Sequence, residues 1–276
     1  MMSVLARSAL FVPGSRPERF AKALAVGADL VIIDLEDAVE ASLKAQARGH
    51  LAAFLERQPQ VRVLVRVNAT DHPEHAADLA LCARLPGVLG IMLPKAESAV
   101  QVGQVAWQGK PVWPLIETAV GWLALPEIAA SASVARLGFG GLDLALDIGM
   151  RSGSAAASTV YEQMRLALIL HSKANGLPPP LDTVYPAFDD DAGLAAVIAH
   201  GRDLGMLGAL CIHPRQVAVV HVALAPSADE LAWATRVLEA ARVSGKAAFQ
   251  FEGQMVDAPV LARARRVLGR EEEGAS

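Results

Sequence analysis

Pro111-Val-Trp-Pro-Leu-Ile-Glu-Thr-Ala-Val-Gly121 sets the pattern of the chain. A mostly apolar run ends on one carboxylate, Glu117, and a glycine follows four residues later. A run this short and apolar fits a strand buried on both faces. An acid at the end of such a strand is costly to desolvate unless something pairs with it. Arg136-Leu-Gly-Phe-Gly-Gly-Leu-Asp143 repeats the arrangement, with Asp143 just past a second apolar run.

Outward from this stretch, apolar runs alternate with amphipathic, Ala-rich ones. The strands read as Ser8–Pro13, Asp29–Glu36, Val61–Asn68, Val88–Lys95, Val112–Glu117, Ala135–Gly140, Thr183–Pro186 and Leu207–His213. Helices are expected over Arg16–Leu24, Ala41–Arg57, His75–Arg84, Ala99–Trp107, from Glu117 to about Ser131, Thr159–Asn175 and Ala192–Leu204. Eight such units in about 220 residues predict an α/β fold, a (β/α)8 TIM barrel. A doubly wound open sheet is the other architecture with this alternation. The barrel occupies residues 1–225, and residues 226–276 form a C-terminal helical arm, a lid or oligomerisation element. That arm opens with Ser227 and Glu230 in capping-box spacing before a helix to Arg242, and it closes on a basic helix, Val260–Leu268. The tail Arg270–Ser276 reads as frayed.

The 276 residues are 53% hydrophobic and only 5% aromatic, with a formal charge of −4. That composition predicts a large core and argues against a nucleic-acid partner. The two cysteines, Cys82 and Cys211, lack metal-ligand spacing, which suits a reducing cytoplasm. The N-terminus carries Arg7 and Arg16 and no signal-peptide pattern, and no apolar run approaches the about 20 residues of a membrane span. There is no Gly-x-Ser-x-Gly, no Cys-x-x-Cys, no P-loop and no dinucleotide fingerprint.

In a barrel, functional groups sit at the carboxyl ends of the strands. Those ends carry Asp34, Glu36 and Asp37, then Arg66, Lys95, Glu117, Asp143 and His213. Glu117 and Asp143 are the best metal ligands, because two carboxylates with open positions suit Mg²⁺. Glu36 and Asp37 serve from a second layer, orienting water or neighbouring cations, and Asp34 reads as a brace. Arg66 suits a substrate carboxylate held bidentately, and equally a bridge to Glu36 or Asp37. The turn Phe11–Arg19, with Arg16, joins a strand to a helix N-terminus, a favourable place for an anion. His213 reads as structural.

Eight segments carry a family resemblance: Leu10-Phe-Val-Pro-Gly-Ser-Arg-Pro-Glu-Arg-Phe20, Asp34-Leu-Glu-Asp-Ala-Val39, Val65-Arg-Val-Asn68, Leu93-Pro-Lys95, Leu115-Ile-Glu-Thr118, Gly138-Phe-Gly-Gly-Leu-Asp143, Cys211-Ile-His-Pro-Arg-Gln216 and Gly253-Gln-Met-Val-Asp-Ala-Pro259. In this order they resemble the citrate lyase beta subunit (CitE-like) branch of the HpcH/HpaI aldolase superfamily. The resemblance implies Mg²⁺ on Glu117 and Asp143, and Arg66 on the carboxylate of an oxo- or hydroxy-acid. It also implies coenzyme A near Arg16, and Asp257 as the acid–base group, closing over a neighbouring subunit's site in a trimer or hexamer. The implied reaction is cleavage of a citryl-CoA-like 3-hydroxyacyl-CoA to an acyl-CoA such as acetyl-CoA and an oxo-acid such as oxaloacetate. Malyl-CoA or citramalyl-CoA cleavage, a malate-synthase or thioesterase-like activity, and a coenzyme-A-independent oxo-acid aldolase are the alternatives. Where family members carry Gly-Lys before Cys-Ile-His-Pro, this chain has Gly208-Ala-Leu210.

Overall fold

A computed structural model describes residues 6–269. Seven strands form one parallel sheet: β1 (Ser8–Pro13), β2 (Leu30–Asp34), β3 (Val63–Arg66), β4 (Val88–Leu93), β5 (Val112–Ile116), β6 (Gly138–Phe139) and β7 (Ala209–Cys211). Their order is β6-β5-β4-β3-β2-β1-β7, so each of the first six lies beside its neighbour in sequence. The connecting helices include α1 (Phe20–Ala25), α2 (Lys44–Arg57), α3 (His75–Arg84) and α4 (Ala99–Ala106). They continue with α5 (Ala119–Leu123), α6 (Leu125–Ala129), α7 (Gly141–Asp147), α8 (Ala155–Ala174), α9 (Asp191–Leu204) and α10 (Pro214–Leu224).

Continuous apolar strands feed two apolar layers, because successive side chains point to opposite faces. One face buries Ala9, Ile32, Leu64, Met92, Leu115 and Leu210 in a small cluster with Leu181, which fills the concave side of the curled sheet. The other face packs Leu10, Val12, Ile33, Val65, Ile91 and Ile116 into the large core that includes helix residues such as Leu51, Val102 and Met164. At the amino ends of the strands, buried Arg136 donates to the carbonyls of Ala6, Pro179 and Leu207. Burial pushes its pKa down to about 10, against the opposing charge of Asp29.

The expected strand Thr183–Pro186 is corrected. Single parallel bridges join Leu181 to Gly138 and Asp182 to Ala209, two residues earlier. Leu181 exchanges backbone hydrogen bonds with Leu137 and Phe139, and Asp182 with Gly208 and Leu210. Pro178–Pro180 before this pair and Pro186 after it have no N–H to extend the ladder. The expected helix from Glu117 to Ser131 is likewise two short ones, α5 capped by Thr118 and α6 carrying Pro126 in its first turn.

The described chain divides into two compact units, the second beginning at Ala225. The second unit contains α11 (Ala228–Ser244), a hairpin of β8 (Phe249–Phe251) and β9 (Gln254–Val256), and α12 (Ala258–Val267). Ser227 and Glu230 make both bonds of a capping box. Glu252 and Gly253 both have positive φ, the two-residue turn that matches hairpin twist. The hairpin packs its Phe249 and Phe251 with Trp233, Val256 and Leu261. The fate of Arg270–Ser276 lies outside the described residues.

One stretch, Pro214–Ser244, is long and apolar enough to cross a membrane by length and composition alone. It is two helices of 11 and 17 residues, interrupted at Ala225–Ser227, and each is shorter than the about 20 residues a span requires.

Candidate active site

The carboxyl ends of β2 to β5 bring six charged side chains together with one from α7. Asp34 ends β2 and stands directly opposite Arg66, the last residue of β3. Arg66 Nε donates to Asp34 Oδ1 at 2.8 Å and Nη2 to Oδ2 at 2.6 Å, a parallel two-bond fork. Asp34 also accepts from the N–H groups of Glu36 and Ala38, so it is fully buried yet satisfied. The guanidinium lies over the Phe11 ring at 4.7 Å, and its Nη1 is 3.1 Å from Glu36 Oε2. Burial opposes the charge of Arg66, but Asp34 and then Glu36 outweigh it and hold its pKa above the usual value.

Lys95 follows β4 with a φ of 46°, a left-handed conformation uncommon outside glycine. That turn aims two groups at the acids. Its backbone N–H donates to Glu117 Oε1 at 2.8 Å, and its Nζ donates to Glu36 Oε1 at 2.6 Å. The same Nζ is 3.7 Å from Asp37 and 3.8 Å from Asp143. Burial works against this ammonium, and the Glu36 carboxylate more than compensates, so its pKa rises.

Glu117 is 1% exposed, against 33% for the Asp143 side chain. Burial, then the charges of Asp143 and Glu36, push its pKa up to about 8, with Arg66 and the Lys95 N–H pulling the other way. Glu36 is raised too, first by burial, and its Oε2 accepts no hydrogen bond despite the nearby Arg66. Gly140 makes the crowding possible, since a β-carbon there would sit 2.1 Å from Glu117 Oε2.

This donor set fits a divalent cation. Three acids crowd one another and Glu36 Oε2 accepts no hydrogen bond, so added positive charge relieves the repulsion. Among the described residues no three His, Cys, Asp or Glu side chains are placed to hold one ion together, so the crowded acids do not form a closed protein cage. Two carboxylates are what Mg²⁺ takes when water and substrate supply its other oxygens.

A second set of groups braces the cluster. Lys44 Nζ donates to the carbonyls of Leu35 and Glu36 and to Asn68 Oδ1, while Asn68 and Arg48 both donate to buried Asp78. Beside it opens a cavity of about 490 Å³ lined by Glu36, Lys44, Asn68, His72 and Lys95.

The expected site residues fall into one cluster and two residues described apart from it. Glu117, Asp143, Glu36, Asp37 and Arg66 converge. Arg16 is exposed and its Nε is bound to Glu18 at 2.6 Å. Asp257 lies in the second unit, where it precedes α12 without capping it. Lys95 is the residue whose weight the chain alone understates. It carries a signal in the Pro94-Lys95 end of an apolar strand, but its central position follows from the turn.

A model of the HpcH/HpaI aldolase/citrate lyase family matches residues 7–214. A "Citrate lyase subunit beta-like protein" of Mycobacterium tuberculosis is 41% identical over 270 residues, 97% of this chain and 96% of that one. A "(3S)-malyl-CoA thioesterase" of Cereibacter sphaeroides is 35% identical, covering 96% of this chain and 94% of its own. The crystal structure of protein CitE from Mycobacterium tuberculosis in complex with magnesium, acetoacetate and coenzyme A superposes with a TM-score of 0.85. The two are 39% identical, covering 98% of this chain and 99% of that one.

Proposed function

Because the chain belongs to the HpcH/HpaI aldolase/citrate lyase family and is a lyase, we propose that it cleaves a citryl-CoA-like 3-hydroxyacyl-CoA into an acyl-CoA and an oxo-acid, with Mg²⁺. The observation that carries this reading is the crowding of Glu117, Asp143 and Glu36 at one mouth, with Glu117 held near pKa 8. The seven parallel strands with the bridges at Leu181 and Asp182 support a (β/α)8 barrel as its frame.

Glu117 and Asp143 hold the metal, which when bound polarises an oxygen of the substrate and stabilises developing negative charge. Glu36 and Asp37 fix Lys95 beside them. Arg66 orients the carboxylate of the acid half through its outer edge, since its Nε–Nη2 edge is bound to Asp34. The substrate hydroxyl gives its proton to solvent water, the bond between C2 and C3 breaks, and its electrons pass into the thioester as an enolate. Asp257, contributed by a neighbouring copy in a trimer or hexamer, returns a proton to C2. The Arg16 loop is the contact for coenzyme A.

The malyl-CoA thioesterase relatives favour a second reading, in which the thioester is hydrolysed. A panel of citryl-, malyl- and citramalyl-CoA, assayed with and without Mg²⁺, separates the two. Oxo-acid with intact acyl-CoA is the expected product. Free coenzyme A without oxo-acid would overturn the lyase reading, and turnover unchanged by chelation would remove the metal from it.

A further inference from the structure

A second cavity, of about 530 Å³, opens between α8, α9 and the segment Thr183–Pro186. Its size suits a small organic ligand. None of Glu36, Arg66, Lys95, Glu117 or Asp143 lines it.

Arg165, on α8, forms part of its wall. The side chain is only 7% exposed, and Nε donates to both oxygens of buried Asp182, at 3.0 and 2.9 Å. A guanidinium carries five N–H donors. Among the described residues, no acceptor meets the terminal amino groups Nη1 and Nη2 of Arg165, and neither nitrogen is sealed from solvent. Nη1 and Nη2 are therefore met by solvent on the cavity wall rather than by protein, which leaves both open to an incoming ligand. The outer edge of a guanidinium matches the two oxygens of a carboxylate.

The rest of the wall decides what the carboxylate is attached to. Leu142, Ala157, Val184, Pro186 and Val197 face the same space. The one acid on the lining, Glu162, is half-exposed and stands 3.3 Å from His200 Nε2. A highly hydrated anion such as phosphate gains nothing from such walls, whereas an alkyl or aryl body loses water on entering.

We propose that this cavity is a second ligand site, which takes a small monocarboxylate with an apolar body and grips it through Nη1 and Nη2 of Arg165. The site is separate from the metal-centred cluster and does not depend on the reaction assigned to it.

Calorimetric titration of the full chain with hexanoate, hexanamide and inorganic phosphate tests this. Hexanoate is expected to bind, with the neutral amide and phosphate each weaker by about tenfold or more, the worth of a charge-assisted pair. Val197→Trp fills the cavity and leaves the Arg165–Asp182 pair intact, so it should abolish hexanoate binding while the thermal midpoint stays near wild type. Arg165→Lys should weaken hexanoate without restoring the amide. Should Arg165→Lys fail to fold, Val197→Trp decides alone. The proposal is overturned by equal binding of hexanoate and hexanamide, by Val197→Trp binding hexanoate as wild type does, or by no heat up to roughly 10 mM hexanoate.

Discussion

Replacing Gly140 by alanine tests whether the metal pair is built as described. The added β-carbon would lie 2.1 Å from Glu117 Oε2, 2.5 Å from its Cβ and 3.0 Å from its carboxyl carbon. Attractive contact between heavy atoms begins near about 3.5 Å, so something must retreat by more than about 1 Å. The backbone of Gly140 has little room to do so, because its N–H is bonded to the Ile116 carbonyl at 3.0 Å. Glu117 is buried, and its Oε1 is bonded to the Lys95 N–H at 2.8 Å. The carboxylate therefore gives way, losing that bond and its aim toward Asp143. Overpacking of this kind costs about 1–3 kcal/mol of stability. Loss of one aimed charged ligand should weaken Mg²⁺ by about tenfold or more. Urea unfolding with chelator present measures the first, and calorimetric titration with Mg²⁺ the second. A Gly140→Ala protein that binds Mg²⁺ within about twofold of wild type and unfolds at the same urea concentration would refute the geometry and with it the assignment of Glu117.

Other outcomes follow from the same cluster. Glu117 is protonated in the metal-free fold up to about pH 8 but ionises near its ordinary value when unfolded, so its stabilising contribution is full below about pH 4.5 and declines as pH rises to about 8. Urea midpoints of metal-free protein should show that fall, and Glu117→Gln should flatten its share; identical slopes in the two proteins would refute it. Asp34→Asn removes the charge gripping Arg66 and should cost about 3 kcal/mol, with turnover reduced more than Mg²⁺ affinity. Lys95→Met takes a cation away from Glu36, Asp37 and Asp143 and should tighten Mg²⁺ while lowering turnover; weaker Mg²⁺ binding in a titration would contradict it. Asp257→Asn should cut turnover by about a hundredfold with Mg²⁺ affinity unchanged, and full activity would end its role as proton donor.

Strand positions were legible because parallel strands buried on both faces leave continuous apolar runs, and the polar residue that ends each run marks the mouth. Glu117 and Arg66 stand at such ends, and Asp143 lies just past one, in the first turn of α7. The short runs were not: Leu181 and Asp182 contribute one bridge each, too little for any periodicity. The hairpin at Phe249–Val256 is not legible from the chain although Glu252-Gly253 sits between Phe249-Gln-Phe251 and Gln254-Met-Val256, runs of three residues too brief to stand out beside the helices. What no single run carries is register. Arg66 read equally as a substrate ligand and as a bridge to Glu36 or Asp37, while Asp34 read as a brace of no stated partner. Pairing β2 with β3 so that Asp34 meets Arg66 resolves both at once. The fork of Arg66 is committed to Asp34, Nη1 leans toward Glu36, and only an outer edge is left for a substrate. An arginine fixed on one side and reading a carboxylate with the other is a rigid positioning group, so Arg66→Lys, which retains the charge and loses the planar fork, should fail at both tasks.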